Sequence, residues 1–171
     1  MSLREILVIP DPRLKEVAKP VETIDEDTRT LIKDMFDTMY DAPGIGLAAP
    51  QIGVLERIVV IDIQREDDPQ TGPIALINPE IVEESEDRVV SEEGCLSIPE
   101  IYYDVERAAE VTVKFTDENG ETVTRHCTDR LAICVQHEID HLNGVLYIDH
   151  ISRLKRDRVI KKFNKLAKRA S

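Results

Sequence analysis

Thr128-Asp-Arg-Leu-Ala-Ile-Cys-Val-Gln-His-Glu-Ile-Asp-His-Leu-Asn-Gly144 is a helix by its punctuation. Thr128 or Asp129 is a residue type that caps a helix N-terminus, and Asn143-Gly144 closes it, because glycine takes the left-handed conformation that ends helices. Inside the predicted helix, Arg130 to Leu142, stands His137-Glu138-Ile139-Asp140-His141. Histidines four residues apart lie one turn apart on a common helical face and converge on one point. On a strand they would share a face but stand roughly 13 Å apart. Two imidazoles on one face suit a divalent cation, and the adjacent carboxylate of Glu138 is placed to take a proton from a water whose pKa the cation lowers toward about 7. The bland alternative is a chance pattern of two solvated or hydrogen-bonded histidines.

A third ligand decides between these. The run continues as His141-Leu-Asn-Gly144, following the metzincin protease pattern H-E-x-x-H-x-x-G-x-x-H up to its last position, where this chain has Tyr147. The gluzincin type of protease needs a downstream glutamate, but the only acid in residues 151–171 is Asp157. His150 stands three residues beyond Tyr147 in a segment with no evident return geometry, so the missing ligand is expected upstream. Cys134 stands one turn before His137, about 7 Å along the helix axis from a cation held between the two histidines, beyond the reach of its side chain. His126 and Cys127 belong to a predicted hairpin strand. Cys95, in Glu93-Gly94-Cys95-Leu96-Ser97, is the leading candidate because glycine permits close approach of the backbone, although spacing alone leaves the choice open.

Outward from the helix, the chain is largely β. Ile58–Ile63, Ile74–Ile77, Ile81–Val90 and Tyr102–Glu106 are predicted strands, and Val111-Val113-Phe115 alternates before Asp117-Glu-Asn-Gly120 and a return strand to Cys127, an antiparallel hairpin. Ile6–Ile9 is a short strand or buried segment, Asp11-Pro12 starts a short helix to about Val17, and Leu31, Ile32, Met35, Phe36 and Met39 mark an amphipathic helix from Asp25 to about Tyr40. Ala42–Gly53, dense in proline and glycine, reads as a loop closely approached by another backbone. The expected fold is α+β, with antiparallel sheets around the central helix that carries the H-E-x-x-H motif.

The length suits one core: residues 1–150 are expected to form a single catalytic domain, with 151–171 a basic C-terminal helix packed on it. That tail has nine Lys and Arg against Asp157, in a chain whose net charge is −12. The acidic body argues against nonspecific nucleic-acid binding through the main domain, and no specific DNA partner is expected. No apolar run approaches the roughly 20 residues needed to span a bilayer and no signal pattern opens the chain, so a cytoplasmic protein without membrane contact is expected. Three cysteines without a C-x-x-C pair indicate neither a disulfide framework nor a thioredoxin-like site.

Gly44-Ile-Gly-Leu-Ala-Ala-Pro-Gln51, Glu93-Gly-Cys-Leu-Ser97 and Gln136-His-Glu-Ile-Asp-His-Leu142 together resemble, in order and spacing, the three signature motifs of the peptide deformylases. The resemblance covers nearly the whole chain. It implies a metal-dependent hydrolase that removes the N-formyl group from formyl-methionyl nascent polypeptides and releases formate. It places the metal on Cys95, His137 and His141, with Glu138 as acid and base, and gives Gln51 and the backbone N–H of Leu96 the task of stabilising charge on the formyl oxygen. Gln51 is otherwise a loop-anchoring amide. The resemblance further implies substrate pairing at Ile45 and Gly46, and a methionine pocket lined by Ile133 and Cys134, which are otherwise plain core positions. Thiolate with imidazole suits zinc; ferrous iron is what the resemblance implies, with zinc, nickel or cobalt as replacements on purification. Where many bacterial relatives carry an arginine beyond the second motif, this chain reads Pro99-Glu-Ile-Tyr102-Tyr103, a departure that bears on contacts downstream of methionine.

Val159, Phe163, Leu166 and Ala170 recur as an apolar stripe, so the tail is an amphipathic helix expected to dock on the body along that line. Its basic face either balances an acidic domain or, as in the family, contacts the ribosome. A noncatalytic metal-stabilised module is the competing class of function; Glu138 beside an open coordination position favours the hydrolase.

Overall fold

The computed structural model describes residues 2–64 and 72–170. Three helices, α1 (Glu26–Asp41), α2 (Asp129–Leu142) and α3 (Arg153–Ala170), accompany seven strands: β1 (Gly46–Ala48), β2 (Ile58–Ile61), β3 (Ile74–Glu84), β4 (Arg88–Cys95), β5 (Ile98–Ala108), β6 (Val111–Thr116) and β7 (Thr122–Cys127). Among the described residues all seven strands pair antiparallel, and one isolated parallel bridge joins Lys19 to Glu56. Five strands form one sheet in the order β1-β2-β3-β6-β7, and β4-β5 form a second. The α+β fold with α2 at its centre is the one expected.

Strand β2 explains the layering. Its residues alternate between faces, and all four are buried. Val59 and Ile61 face α2, packing with Val113, Phe115, Leu131, Val135 and Ile139. Ile58 and Val60 face α1, packing with Leu31, Ile32, Met35 and Met39. The large sheet is thus covered on both faces, which is why β2 reads as a continuous apolar run. Helix α1 begins with reciprocal capping: Asp25 accepts from Thr28 N–H, and Thr28 Oγ1 accepts from Asp25 N–H.

The small sheet is set against the N-terminal segment and α3. Leu7, Ile9 and Leu14 pack with Ile98, Val105, Tyr147, Val159 and Phe163. Residues 6–9 form no strand; Leu7 N–H donates to Gln51 O and Ile9 N–H to Ser97 O, tying the segment to two later loops. The Asp11-Pro12 helix start is present, but only one 3-10 turn follows, Pro12–Lys15.

Four local expectations are corrected. The 42–53 segment is not only loop: it contains β1 and a 3-10 turn, Ala49–Ile52, closed by Gly53 at φ +80°. The strand expected over Ile81–Val90 is divided at Ser85–Asp87, where the chain passes from the large sheet to the small one; Ser85 N–H donates to Glu110 O and Ala109 N–H to Asp87 O, so two connections share one corner. Strand β3 runs unbroken past Ile77 because Asn78 takes φ +52° as a bulge and hydrogen-bonds both backbone groups of Val21. On α3, only half of the predicted stripe docks: Val159 and Phe163 are buried, whereas Leu166 is 45% exposed and Ala170 is exposed. The body ends before the last two turns of that helix. Among the described residues no helix is long and apolar enough to cross a membrane.

Candidate active site

Cys95 ends β4, and the turn through Leu96 and Ser97 leads at once into β5, with a register shift between Glu93 and Cys95. A bulge re-aims the side chains beside it, and here the Cys95 thiol is directed at α2. His137 and His141 project from that helix one turn apart, with ring centroids 5.1 Å apart. The ligand atoms of Cys95, His137 and His141 lie within 4.8 Å of one another, and Cys95 Sγ is 3.4 Å from His141 Nε2. Among the described residues this is the one cluster of metal-ligating side chains. Cys134, one turn away on α2, does not join it.

His137 is held from behind, whereas the buried His141 Nδ1 has no hydrogen-bond partner among the described residues. Glu93, two residues before Cys95, sits 2.9 Å from His137 Nδ1, which leaves His137 Nε2 free to ligate. Arg107 on β5 donates to both oxygens of Glu93 at 2.8 Å, and to Asp140 at 2.7 Å. Glu93 and Arg107 are each 5% exposed. Burial would push the Glu93 carboxyl upward, but Arg107 and His137 prevail and hold it down at about 2. Asp140 also meets His150 Nε2 at 2.9 Å. Tyr147 stacks on the His137 ring at 6.0 Å, and its hydroxyl donates to Ile101 O. The residue at the position where a metzincin would have a ligand is thus a packing partner of His137.

Gln51 serves two ends. Its Oε1 accepts from Ala48 N–H at 2.9 Å, fixing the loop, and this orients Nε2 toward Ser97 Oγ at 3.1 Å and Cys95 Sγ at 3.5 Å. The loop-anchoring role and the site-facing role coexist in one amide. Leu96 is half-buried, with its side chain over Gly44. Glu138 is buried, and its Oε1 has no hydrogen-bond partner. Burial pushes its carboxyl up to about 7. His141 is held neutral by burial and by the neighbouring His137, the form in which imidazole ligates. A soft thiolate, two imidazoles presenting free nitrogens and an unpaired carboxylate oxygen beside them fit a single divalent cation with an open position.

Cys95, His137 and Glu138 line one side of a cleft of about 1220 Å³ that also takes in Ile45, Gly46, Gln51, Leu96, Ile133 and Cys134, while His141 is buried behind them against Cys95. Of the residues singled out for the site, all but His141 line this cleft, and His141 meets it through Cys95. A methyl group on Gly46 would stand 2.6 Å from Glu138 Oε2 and 2.9 Å from Cys134 Sγ, so glycine is what lets β1 approach α2 there. Burial pushes the Cys134 thiol well above its usual value, keeping it a neutral apolar wall. Tyr102 lies over Gly94. The sequence reading missed Glu93, Arg107 and Asp140. Glu93 and Asp140 stand inside the quoted motifs, a signal that was available; Arg107 has no local signature.

Comparison with known proteins finds relatives along nearly the whole chain. Residues 3–157 match the family model for polypeptide deformylase. The chain is 54% identical over 168 residues to a peptide deformylase of Rhizobium meliloti, covering 98% of this chain and 96% of that one. It is 55% identical over 171 residues to one of Afipia carboxidovorans, covering 100% and 99%. Among solved structures, peptide deformylase from Ehrlichia chaffeensis superposes with a TM-score of 0.91 at 38% identity, over 97% of each chain. The same enzyme in complex with actinonin gives 0.91 at 40% identity, over 96% of this chain and 98% of that one. With its three motifs assembled at one cleft and its whole length matched, this chain belongs to the peptide deformylase family.

Proposed function

We propose that Cys95, His137 and His141 hold one divalent cation, ferrous iron in the cell, and that Glu138 carries the proton transfers by which formyl-methionyl nascent polypeptides lose their formyl group. The observation that carries this is the convergence of three ligand atoms within 4.8 Å beside a buried carboxylate with an unpaired oxygen. When bound, the cation supplies Lewis acidity that makes water a competent nucleophile near neutral pH. Glu138 takes a proton as the water oxygen bonds to the formyl carbon. It delivers that proton to the methionine nitrogen as the carbon–nitrogen bond breaks, giving formate and a free amine. Gln51 Nε2 and Leu96 N–H donate to the formyl oxygen as negative charge grows there. Glu93, fixed by Arg107, keeps His137 in the ligating tautomer.

The substrate adds along the free edge of β1. Ile45 O accepts from Asp62 N–H on the β2 side, and Ala48 N–H donates to Gln51; by alternation the backbone groups of Gly46 face the open edge, beside the cleft. The methionine side chain enters between Ile133 and Cys134. Residues 1–150 supply the catalytic domain, on which the basic helix α3 docks through Val159 and Phe163. The cationic outer face of that helix contacts ribosomal RNA phosphates, which matches a nascent-chain substrate and a cytoplasmic setting.

The test is formate release from a formyl-methionyl peptide by anaerobically purified protein, wild type against Glu138→Gln, with metal content measured in both. Formate from wild type alone, with equal metal, is the expected result. A fully metallated wild type that releases none would overturn the proposal.

A further inference from the structure

One charged residue in the cleft has no part in this chemistry. Arg130 is exposed at the first turn of α2 and lines the same cleft as Ile133, Cys134 and His137. Residues at intervals of three and four share a helical face, so these four form a single stripe, with Arg130 at its outer end. Its guanidinium forms no hydrogen bond or ion pair with any described residue, and its charge acts on the Cys134 thiol. The other charged groups at the mouth are the carboxylates of Asp129 beside it and of Glu92 and Glu100 on the β4-β5 wall. Arg130 is the only cation lining the cleft among the described residues.

The proposed substrate pose gives this position a meaning. An extended peptide turns the side chains of its first and third residues to the same face, about 6.7 Å apart. One helical turn, the step from Cys134 to Arg130, is about 5.4 Å. With the formyl group at the His137 level and methionine against Ile133 and Cys134, the third side chain comes level with Arg130. The second points away from α2.

We infer that Arg130 is a specificity-determining residue that selects an acidic side chain at the third residue of the formyl-methionyl peptide. This rests on the strand-added pose of the proposed function.

The test compares amidated formyl-Met-Ala-Asp-Ser and formyl-Met-Ala-Lys-Ser peptides on the metal-loaded enzyme, with formyl-Met-Asp-Ala-Ser and formyl-Met-Lys-Ala-Ser as the same exchange at residue two. Each result is an Asp-to-Lys ratio of kcat/KM within one enzyme, so a general loss of activity in a variant cancels. At residue three, wild type is expected to favour Asp by about fivefold, the size of a solvent-exposed ion pair, with the difference in KM rather than kcat. The ratio shrinks as ionic strength rises from about 0.02 M to about 0.5 M. Arg130→Gln brings it to about one and Arg130→Glu inverts it. A wild-type ratio at or below one, a ratio unchanged in Arg130→Gln, or an equal response at residue two would overturn the inference. Release of formate from none of the four peptides would instead overturn the deformylase reading beneath it.

Discussion

Replacing Arg107 by methionine leaves a hydrophobic side chain of similar length where a guanidinium made three charge-assisted bonds, two to Glu93 at 2.8 Å and one to Asp140 at 2.7 Å. Removing one partner of a buried ion pair costs roughly 3–5 kcal/mol, because the other charge stays buried without compensation. Asp140 keeps His150 and Glu93 keeps His137, so the expected loss lies at the lower end, about 3 kcal/mol. For a chain of this size that lowers the melting temperature by about 6–12 °C. Glu93 also orients His137, so metal affinity should fall by about 10- to 100-fold. Urea unfolding of metal-saturated protein measures the first quantity, and competition with a chelator measures the second. The double variant Arg107→Met/Glu93→Gln removes the stranded charge and should recover about half the stability while leaving metal affinity low. A loss under about 1 kcal/mol, or a double variant no more stable than the single one, would refute the account of Glu93 as a carboxylate dependent on Arg107.

Three further outcomes follow from particular contacts. Gly46→Ala should remain folded with a lowered melting temperature, since the new methyl meets only the ends of the Glu138 and Cys134 side chains, at 2.6 and 2.9 Å, yet lose most formate release because Glu138 is displaced; a peptide assay beside a melting curve separates the two effects. Gln51→Ala should lower kcat on the order of 100-fold by removing a donor to the formyl oxygen, with a stability loss of about 1 kcal/mol for the unpaired Ala48 N–H; a change confined to stability would reduce Gln51 to a loop anchor. On α3, Phe163→Ala should cost about 3–5 kcal/mol in urea unfolding, whereas Leu166→Ala, 45% exposed, should stay within about 0.5 kcal/mol.

Much of this molecule is local and therefore legible in one dimension. The period of His137 and His141, the Asp25 cap of α1, the Val111–Phe115 alternation and the Asn143-Gly144 stop each depend on residues within a turn or a hairpin of one another. The motifs placed Cys95, Gln51 and Gly46 by resemblance, and the folded chain gathers them around α2 as expected. What composition and periodicity could not carry is pairing across distance. The division of Ile81–Val90 at Ser85–Asp87 depends on which sheet each half joins, a choice made by Glu110 and Ala109 in another connection. The apolar stripe of α3 continues beyond the surface it docks on, so Leu166 stays exposed despite its periodicity. Arg107 is separated from Glu93 by 14 residues and from Asp140 by 33, and only the meeting of β5 with α2 makes it the cation that holds a ligand-orienting carboxylate. Sequence by itself determined most of the elements and the histidine and carboxylate pattern of α2, because those arise from neighbours along the chain. The tertiary structure alone decided which of those elements end early and which distant charges are buried together, because burial belongs to the packed whole.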